Sequence, residues 1–347
     1  MTPINTALCS FGMSGWVFHA PFIHFNPGFN FYAVWERSKN LAEKKYPGVK
    51  TYRQLEDMLA DDSVELVIVN TPNYTHYEYA KKVLLAGKHA IVEKPFTVTV
   101  DEGIELITLA GKQDRKLSVY QNRRYDSDFK ILKKVVANEW LGEITEAEMH
   151  FDRFKDELSP KQHKEIPGPG NGILYDLGSH LIDQALQLFG MPLQIFADIQ
   201  VARPISRVDD YFELLFYYKK LRVRLKASLA VREALPGYIL HGLKGSFIKQ
   251  RTDVQETLLQ AGISPGISDW GTEPSLEMGL LHTEKDGEII REFVHSEQGN
   301  YGEYYDCIYQ AIRHEKPLPV TAEEGLLVIK IIEAAYKSNH AKCVLDL

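Results

Sequence analysis

The sequence contains only three cysteines among its 347 residues, and no two of them have CxxC spacing. Cys9, Cys307 and Cys343 therefore do not form a disulfide framework or a zinc knuckle. Long apolar runs are also missing, because a run such as 64–69 is far shorter than the roughly 20 residues that span a bilayer. The first residues lack the basic and apolar regions of a signal peptide. We therefore expect a soluble cytoplasmic protein of a reducing compartment.

Basic residues do not predominate, since 40 Lys and Arg stand against 47 Asp and Glu, a formal net charge of −7. No run of clustered Lys and Arg offsets this deficit, which argues against a dedicated nucleic-acid-binding protein. The hydrophobic fraction of 44% and the charged fraction of 25% are typical of a folded globular chain and exclude a disordered one. The length exceeds what one hydrophobic core usually supports, so we expect two domains.

Short apolar runs alternate with helical stretches over residues 1–122. Such runs are typical of strands buried on both faces, as in a parallel sheet covered by helices. Two helices begin with candidate capping boxes, Thr75 with Glu78 and Thr99 with Glu102. The alternation predicts a doubly wound α/β domain. The predicted strands are Ala7–Phe11, Phe29–Trp35, Leu66–Asn70, Ala90–Glu93 and Leu117–Tyr120.

Residues 123–347 follow a different pattern. A helix over about 126–139 precedes Thr145–Phe151, in which alternate residues are apolar. Leu221–Ala227 alternates basic and apolar residues, and Gly-containing turns at Lys244-Gly245 and Lys285–Gly287 join further strands. The pattern predicts an α+β domain with a large, mainly antiparallel open sheet.

A glycine-containing turn follows the first predicted strand. Dinucleotide-binding turns carry glycines for a tight turn, for backbone approach to a pyrophosphate and for close helix–strand packing. Gly12 and Gly15 match this pattern, whereas Ser10 replaces the first glycine. An ordinary turn is the alternative, but the position between a buried strand and a helix favours a Rossmann domain that binds NAD or NADP.

The end of the second strand bears on the choice between these cofactors. An acidic residue here accepts hydrogen bonds from the adenine ribose of NAD, whereas a basic residue pairs with the 2′-phosphate of NADP. Glu36 favours NAD, and Arg37, Ser38 and Lys39 together favour NADP. Ser38 has the alternative role of capping the next helix, and Lys39 that of a solvated surface residue. We favour NADP.

Two later strands also end in polar residues, at the edge where α/β sheets bind ligands. Thr71, Pro72 and Asn73 follow the third of the five predicted strands, and His76 lies one helical turn further on. Glu93-Lys94-Pro95 closes the next strand, where a lysine can polarise a substrate oxygen or contact the nicotinamide ribose. Both segments are also compatible with simple turn chemistry.

The segment 172–187 predicts a helix with a polar stripe of Asp176, His180, Asp183 and Gln187. A solvated face of an amphipathic helix is the simpler interpretation. The alternative is a general base, His180, one turn from a carboxylate that orients it or binds substrate. A metal site on the same stripe lacks HExxH spacing, and no GxSxG or kinase motif supports triad hydrolysis or phosphoryl transfer.

Together these segments resemble the Gfo/Idh/MocA oxidoreductases over essentially the whole chain. The resemblance rests on the pairing of Lys94 with an Asp-x₃-His segment more than on the glycine motif. Further segments are similar to the branch that contains NADP-dependent scyllo-inositol dehydrogenases. The elements that match the family are Gly12-x-x-Gly15 with Phe18–Pro21, Thr71–Asn73 with His76, Glu93–Pro95 and Gly172–Asp183. The elements similar to the branch include Val119–Arg124 and Leu318–Gly325.

The resemblance implies NAD(P)-dependent hydride transfer at a secondary alcohol of a polyol or sugar. Lys94 would hydrogen-bond the reacting oxygen, Asp176 would bind a neighbouring hydroxyl, and His180 would exchange the proton. It also implies a substrate-binding domain over 123–347 that assembles into a homo-oligomer through its sheet. Asn122, Arg123, Trp270 and Tyr301 are candidates for the substrate site, although Arg123 or Arg124 could instead pair with a carboxylate at the domain junction. The implied cofactor-binding residues are Phe11, Gly12, Ser14, Gly15, Arg37, Ser38, Thr71, Pro72, Asn73, His76, Glu93 and Lys94.

Two other functions use the same fold. A non-catalytic cofactor sensor has no need of a proton shuttle, so the set of Lys94, Asp176 and His180 argues against it. An NAD-dependent glycosidase would cleave a glycoside without net cofactor turnover. The sequence does not specify the substrate, and scyllo-inositol is the first candidate from the branch resemblance.

Overall fold

The computed structural model describes residues 2–159 and 165–347, which divide into two compact units. The first unit contains the chain up to Tyr125 together with Val254–Trp270 and Asn300–Leu327. The second contains Asp126–Asp253, Gly271–Gly299 and Val328–Leu347. The sequence patterns divide the chain once, at 122/123, and give no signal that two later segments pack with the first unit.

Six parallel strands form the sheet of the first unit, in the order β3-β2-β1-β4-β5-β6. All residues of β4 and β6 are buried, which explains the continuous apolar sequence of β4 and the single polar residue, Ser118, in β6. The strand order reverses between β1 and β4, and dinucleotides bind beyond the carboxyl ends of strands at such a point. The strands are β1 Ile4–Leu8, β2 Phe29–Trp35, β3 Lys50–Tyr52, β4 Leu66–Val69, β5 His89–Glu93 and β6 Leu117–Tyr120.

The first strand ends earlier than predicted. The sequence predicted Ala7–Phe11, whereas β1 ends at Leu8. Cys9 still donates its amide N–H to Ile68 O at 2.9 Å, after which the chain leaves the sheet. Ser10 and Phe11 therefore belong to the turn, which brings them to the ligand-binding edge.

Ten α-helices are present in the described chain, and only one of the two predicted capping boxes exists. The Thr99 hydroxyl accepts the Glu102 N–H, and the Glu102 carboxylate accepts the Thr99 N–H. The box at Thr75 is wrong, because the Thr75 hydroxyl donates to Pro72 O at 2.6 Å in a preceding 3₁₀ turn. The helices are α1 Ala20–Phe25, α2 Leu41–Lys45, α3 Leu55–Leu59, α4 His76–Leu85, α5 Val100–Gln113, α6 Ser127–Ala137, α7 Ser179–Phe189, α8 Gln255–Gln260, α9 Gly302–His314 and α10 Ala322–Ala341.

Nine strands form the sheet of the second unit, in the order β14-β13-β12-β11-β7-β10-β9-β8-β15. Only β7 and β10 pair in parallel, so the mainly antiparallel sheet is confirmed. Asp286 and Gly287 form the predicted turn between the last pair, both with positive φ. The strands are β7 Ile144–His150, β8 Gln194–Gln200, β9 Tyr211–Tyr217, β10 Arg222–Ser228, β11 Tyr238–Gly242, β12 Gly245–Lys249, β13 Gly279–Lys285, β14 Glu288–Val294 and β15 Leu345–Asp346.

Strand β10 shows why the second sheet could be recognised from sequence. Val223, Leu225 and Ala227 are fully buried, whereas Arg222, Arg224 and Lys226 retain exposure on the opposite face. This is the one-sided alternation of a sheet with a single core-facing surface. Within the described residues, no helix has both the length and the apolar character needed to cross a membrane.

Candidate active site

The turn after β1 has the close packing that a dinucleotide-binding turn requires. A Cβ atom at Gly15 would lie 2.4 Å from Ser10 O and 2.9 Å from Asn70 Nδ2, so only glycine fits. Ser10 stands where the pattern has its first glycine, and its hydroxyl accepts the Gly12 N–H at 3.1 Å, which stabilises the turn. The helix that follows opens with a π-helical turn over Gly15–His19. The buried Phe11 ring packs on this side of the turn, with its ring centre 6.2 Å from that of Phe31.

Two buried amide oxygens at the same edge have no hydrogen-bond partner among the described residues. Asn70 follows β4 and donates its Nδ2–H to Ser10 O at 2.8 Å, while its Oδ1 stays unpaired. Gln121 follows β6, and its Oε1 is likewise unpaired. Buried acceptors without partners are costly unless a ligand or water completes them. Together with the glycine turn, this edge fits a nicotinamide dinucleotide.

Glu93 ends β5 and collects several hydrogen bonds on one carboxylate. The Ser14 hydroxyl and the His19 ring bind Oε1, with His19 Nε2 at 2.9 Å, and the Lys94 N–H binds Oε2 at 3.2 Å. Burial acts to raise the pKa of Glu93, but the hydrogen bonds from His19 and Ser14 outweigh it and lower the pKa to about 2. The residue before Lys94 is therefore a fixed anion.

His19 links this anion to α9. Its ring is fully buried, with Nδ1 2.6 Å from the Tyr305 hydroxyl and its centre 4.6 Å from that of the Tyr120 ring. The His19 ring therefore bridges the Glu93 carboxylate and the Tyr305 hydroxyl. Sequence reasoning included His19 only in a motif and missed Tyr305, because 286 residues separate the pair. No local pattern could have revealed that contact.

His76 holds together the loops that follow β4 and β5. It is 1% exposed, and its Nδ1 and Nε2 lie 2.8 Å from Pro95 O and 2.9 Å from Thr71 O. Burial lowers the pKa of His76, although the hydrogen bonds to these backbone oxygens act to raise it. Thr71 adds a 2.7 Å hydroxyl contact with Thr75. The structure therefore brings the Thr71–Asn73 and Glu93–Lys94 segments to one edge, while direct contacts of these residues with a cofactor remain predictions.

The loop after β2 separates the acidic residue from the basic ones. Glu36 is 8% exposed, and its carboxylate accepts the N–H groups of Leu41 and Ala42 at 3.2 and 3.1 Å. The helix-capping alternative for Ser38 is therefore wrong, since Glu36 caps α2. Arg37 and Ser38 are exposed. An exposed cation and hydroxyl in this position suit a phosphate group.

In the second unit, the predicted catalytic helix differs from a regular α-helix. A π-helical turn over Leu174–Gly178 precedes α7, and such turns are frequent at functional sites. The solvated polar face expected for it is wrong, because His180 is 5% exposed and Asp183 is 2% exposed, whereas only Gln187 of that stripe is exposed. Polar spacing alone cannot distinguish a face in water from a buried one.

Asp209 anchors the beginning of this helix and was missed by sequence reasoning. Its Oδ2 accepts the Leu174 N–H at 3.0 Å, and its Oδ1 accepts the Tyr336 hydroxyl at 2.8 Å. Burial raises the pKa of Asp209. A Cβ atom at Gly172, whose φ is +99°, would lie 2.1 Å from the carboxylate. These contacts fix the start of the turn that carries Asp176.

The four predicted substrate-site residues all belong to the first unit. Arg123 forms an ion pair with Glu256, which is the alternative noted for it from sequence. Trp270 and Tyr301 are buried, and the Trp270 ring N–H and the Tyr301 backbone N–H both donate to Gln255 Oε1, at 3.2 and 2.7 Å. Asn122 is also buried. Their contact with substrate remains a prediction.

Family models match both halves of the chain. An NAD-binding Rossmann-fold model of an oxidoreductase family matches residues 4–121, and its C-terminal alpha/beta domain model matches residues 133–347. The chain belongs to the Gfo/Idh/MocA oxidoreductase family. This membership confirms the Rossmann domain, the oxidoreductase class and the use of a nicotinamide cofactor. No group of three or more His, Cys, Asp or Glu side chains is placed to hold a metal within the described parts of this Gfo/Idh/MocA chain.

Individual relatives cover nearly the full length. The chain is 38% identical to a Bacillus subtilis protein named scyllo-inositol 2-dehydrogenase (NADP(+)) IolW, over 98% of this chain and 94% of that protein. It is also 38% identical to an uncharacterized oxidoreductase of Schizosaccharomyces pombe, over all of both chains. A Bacteroides fragilis crystal structure matches with a TM-score of 0.92 and 44% identity over all of both chains. An oxidoreductase structure from Bacillus cereus matches with a TM-score of 0.90 and 33% identity, over 99% of this chain and 98% of that one.

Proposed function

We propose that this oxidoreductase is an NADP-dependent dehydrogenase or reductase that acts on a secondary alcohol of a polyol or sugar, with scyllo-inositol as the first candidate. The observation that carries the proposal is the end of β5, where the fixed Glu93 anion directly precedes Lys94 at the cofactor edge. The near-full-length similarity to a protein named as an NADP⁺-dependent scyllo-inositol dehydrogenase supports the substrate class.

The bound nicotinamide supplies the hydride chemistry. The Lys94 ammonium holds the reacting oxygen and stabilises negative charge that develops on it. An imidazole nitrogen of His180 takes up or returns the hydroxyl proton, since imidazole titrates near neutral pH. Asp176 binds a neighbouring substrate hydroxyl. The burial of His180 is compatible with this role, because it shields the ring from exchange with bulk water.

The contacts of Glu36 support NADP over NAD. An acid that binds the adenine ribose must offer its carboxylate oxygens to the hydroxyl groups. Both oxygens of Glu36 instead accept N–H groups of α2, and the side chain is buried. Arg37 and Ser38 remain exposed for a 2′-phosphate.

The proposal extends to a cytoplasmic homo-oligomer that assembles through the second sheet. The charged face of that sheet supports this assembly, because Arg224 pairs with Glu148 at 2.6 Å and with Glu213 at 2.9 Å while remaining 41% exposed. The free cysteines Cys9, Cys307 and Cys343 support a reducing compartment.

The decisive assay follows absorbance of reduced nicotinamide with NADP or NAD and a panel of inositols and aldoses, and with the matching keto compounds in reverse. We expect turnover with NADP and one group of polyols. Lys94→Ala and His180→Ala should each slow turnover at least about 100-fold. NADPH binding, followed by nicotinamide fluorescence, should change little in either variant.

Lys81→Ala is the matched control, because the Lys81 side chain is 39% exposed and pairs with Glu105 on the helices outside the sheet. Wild-type rates in Lys94→Ala or His180→Ala would reject the catalytic assignment. Cofactor binding without turnover of any substrate would favour a sensor. Glycoside cleavage without net cofactor reduction would favour a glycosidase.

A further inference from the structure

The loop that joins β2 to α2 is held from inside the first unit by two side chains. Glu36 turns its carboxylate toward α2, where it accepts the N–H groups of Leu41 and Ala42. This contact fixes the C-terminal end of the loop relative to the helix. It also removes the acidic group from the surface where an adenine ribose would lie.

Arg53, just beyond β3, holds the backbone of the same loop. Its Nη1 donates to Glu36 O at 2.7 Å and to Lys39 O at 2.6 Å, and its Nη2 donates to the Asn40 side-chain oxygen. Planar guanidinium groups can serve several acceptors in one fixed geometry, which a lysine ammonium cannot reproduce. The two carbonyl oxygens lie on either side of Arg37 and Ser38.

The guanidinium therefore sets the conformation of the two exposed residues between its acceptors. Arg37 and Ser38 are exposed, so packing of their own side chains does not fix their backbone. A phosphate group is recognised well only when its donors are held in place before binding, because ordering a loop on binding costs affinity.

We propose that Arg53 is a positioning residue for coenzyme choice: it holds the Glu36–Asn40 loop so that Arg37 and Ser38 form a ready 2′-phosphate site. The inference rests on the proposed NADP dependence and adds Arg53 as a residue that contributes to the preference for NADP over NAD. Arg53 acts through the backbone of the loop. Its loss should therefore weaken binding of the cofactor that carries the 2′-phosphate and spare the one without it.

Two substitutions separate positioning from charge. Arg53→Ala removes both the hydrogen bonds and the positive charge, whereas Arg53→Lys keeps the charge but cannot serve all three acceptors together. Arg115→Lys is the matched control. Arg115 Nε donates to Gly87 O at 2.6 Å and holds the loop that precedes β5, at the amino ends of the strands and away from the cofactor edge.

Dissociation constants for NADPH and NADH are measured by nicotinamide fluorescence, with thermal unfolding of every variant. We expect both Arg53 variants to bind NADPH about tenfold more weakly than the wild type and NADH within about twofold of it. Arg115→Lys should change neither constant. Competition by adenosine 2′,5′-bisphosphate, which carries the 2′-phosphate without nicotinamide, should weaken in parallel with NADPH binding.

Each other outcome overturns a specific statement. A wild-type NADPH affinity in Arg53→Lys with weak binding in Arg53→Ala would mean that charge, not positioning, matters. Equal weakening of NADPH and NADH would mean a general structural role. A wild-type protein that prefers NADH would overturn the proposed cofactor before any variant is made, and with it the premise of this inference.

Discussion

Two strand ends at the same edge of the parallel sheet show opposite ways of building a binding surface. At the end of β5, Glu93 is 13% exposed on its side chain and contacts Ser14 and His19 from another segment. At the end of β2, Arg37 and Ser38 are exposed, and only the backbone around them is held. The first arrangement couples many groups, whereas the second leaves its polar side chains free to meet a ligand.

The difference indicates which property each region controls. A buried carboxylate that accepts several hydrogen bonds keeps its position and its negative charge, which suits a residue next to the one that holds the reacting oxygen. An exposed cation on a fixed loop can be changed without disturbing the core. We therefore expect substitutions near β5 to affect turnover and stability, and those near β2 to affect cofactor choice.

The largest expected effect is the loss of the Glu93 charge. Glu93→Gln keeps the shape but places an amide against the donors of Ser14 and His19, beside Lys94. We expect turnover to fall at least about 100-fold, with NADPH binding reduced less. Steady-state rates and fluorescence titration measure both.

Glu105→Gln is the control for that variant, because Glu105 is 49% exposed and forms a surface ion pair with Lys81. A Glu93→Gln enzyme that turns over like the control would show that the buried network is structural only. The contrast between the two strand ends would then not correspond to a division of function.

The pH dependence of stability is the next largest effect. The pKa of Glu93 is lowered from 4.5 to about 2 in the folded chain, so its anion stabilises the fold above pH 4.5. This contribution is lost as the pH falls from 4.5 toward 2 and is on the order of 3 kcal/mol. Denaturant unfolding of wild type and Glu93→Gln at pH 7, 4.5 and 3 measures it.

We expect the difference in unfolding free energy between these two proteins to shrink as the pH falls. Other acidic groups titrate in both proteins and cancel in the comparison. A difference that stays constant down to pH 3 would mean that Glu93 is not held as an anion by its partners.

The same contrast explains what could be predicted from sequence. Phe29–Trp35 and Leu117–Tyr120 were predicted with their observed bounds, because mostly buried strands of a parallel sheet are rich in apolar residues. The one-sided pattern of β10 was equally clear. Local periodicity carries this information, and it needs no knowledge of distant contacts.

What could not be predicted depends on contacts between distant segments. No local sequence signal indicates the hydrogen bond between His19 and Tyr305 or the hydrogen bonds by which Arg53 holds the loop at Glu36. The polar stripe through His180 was predicted correctly as a helical face, but its burial depends on what covers it. Residue types thus indicated the chemistry, while the neighbours that fix those residues appeared only in the structure.

The smallest expected effect is at the exposed strand end. Arg37→Ala removes one cation whose backbone stays held by Arg53, so the fold should keep its stability. We expect NADPH binding to weaken about tenfold, or 1.4 kcal/mol, with NADH binding nearly unchanged. Lys44→Ala, an exposed cation in α2, should leave both unchanged. Equal weakening of NADPH and NADH by Arg37→Ala would mean that the exposed loop contributes general affinity and that coenzyme choice is determined elsewhere on the sheet edge.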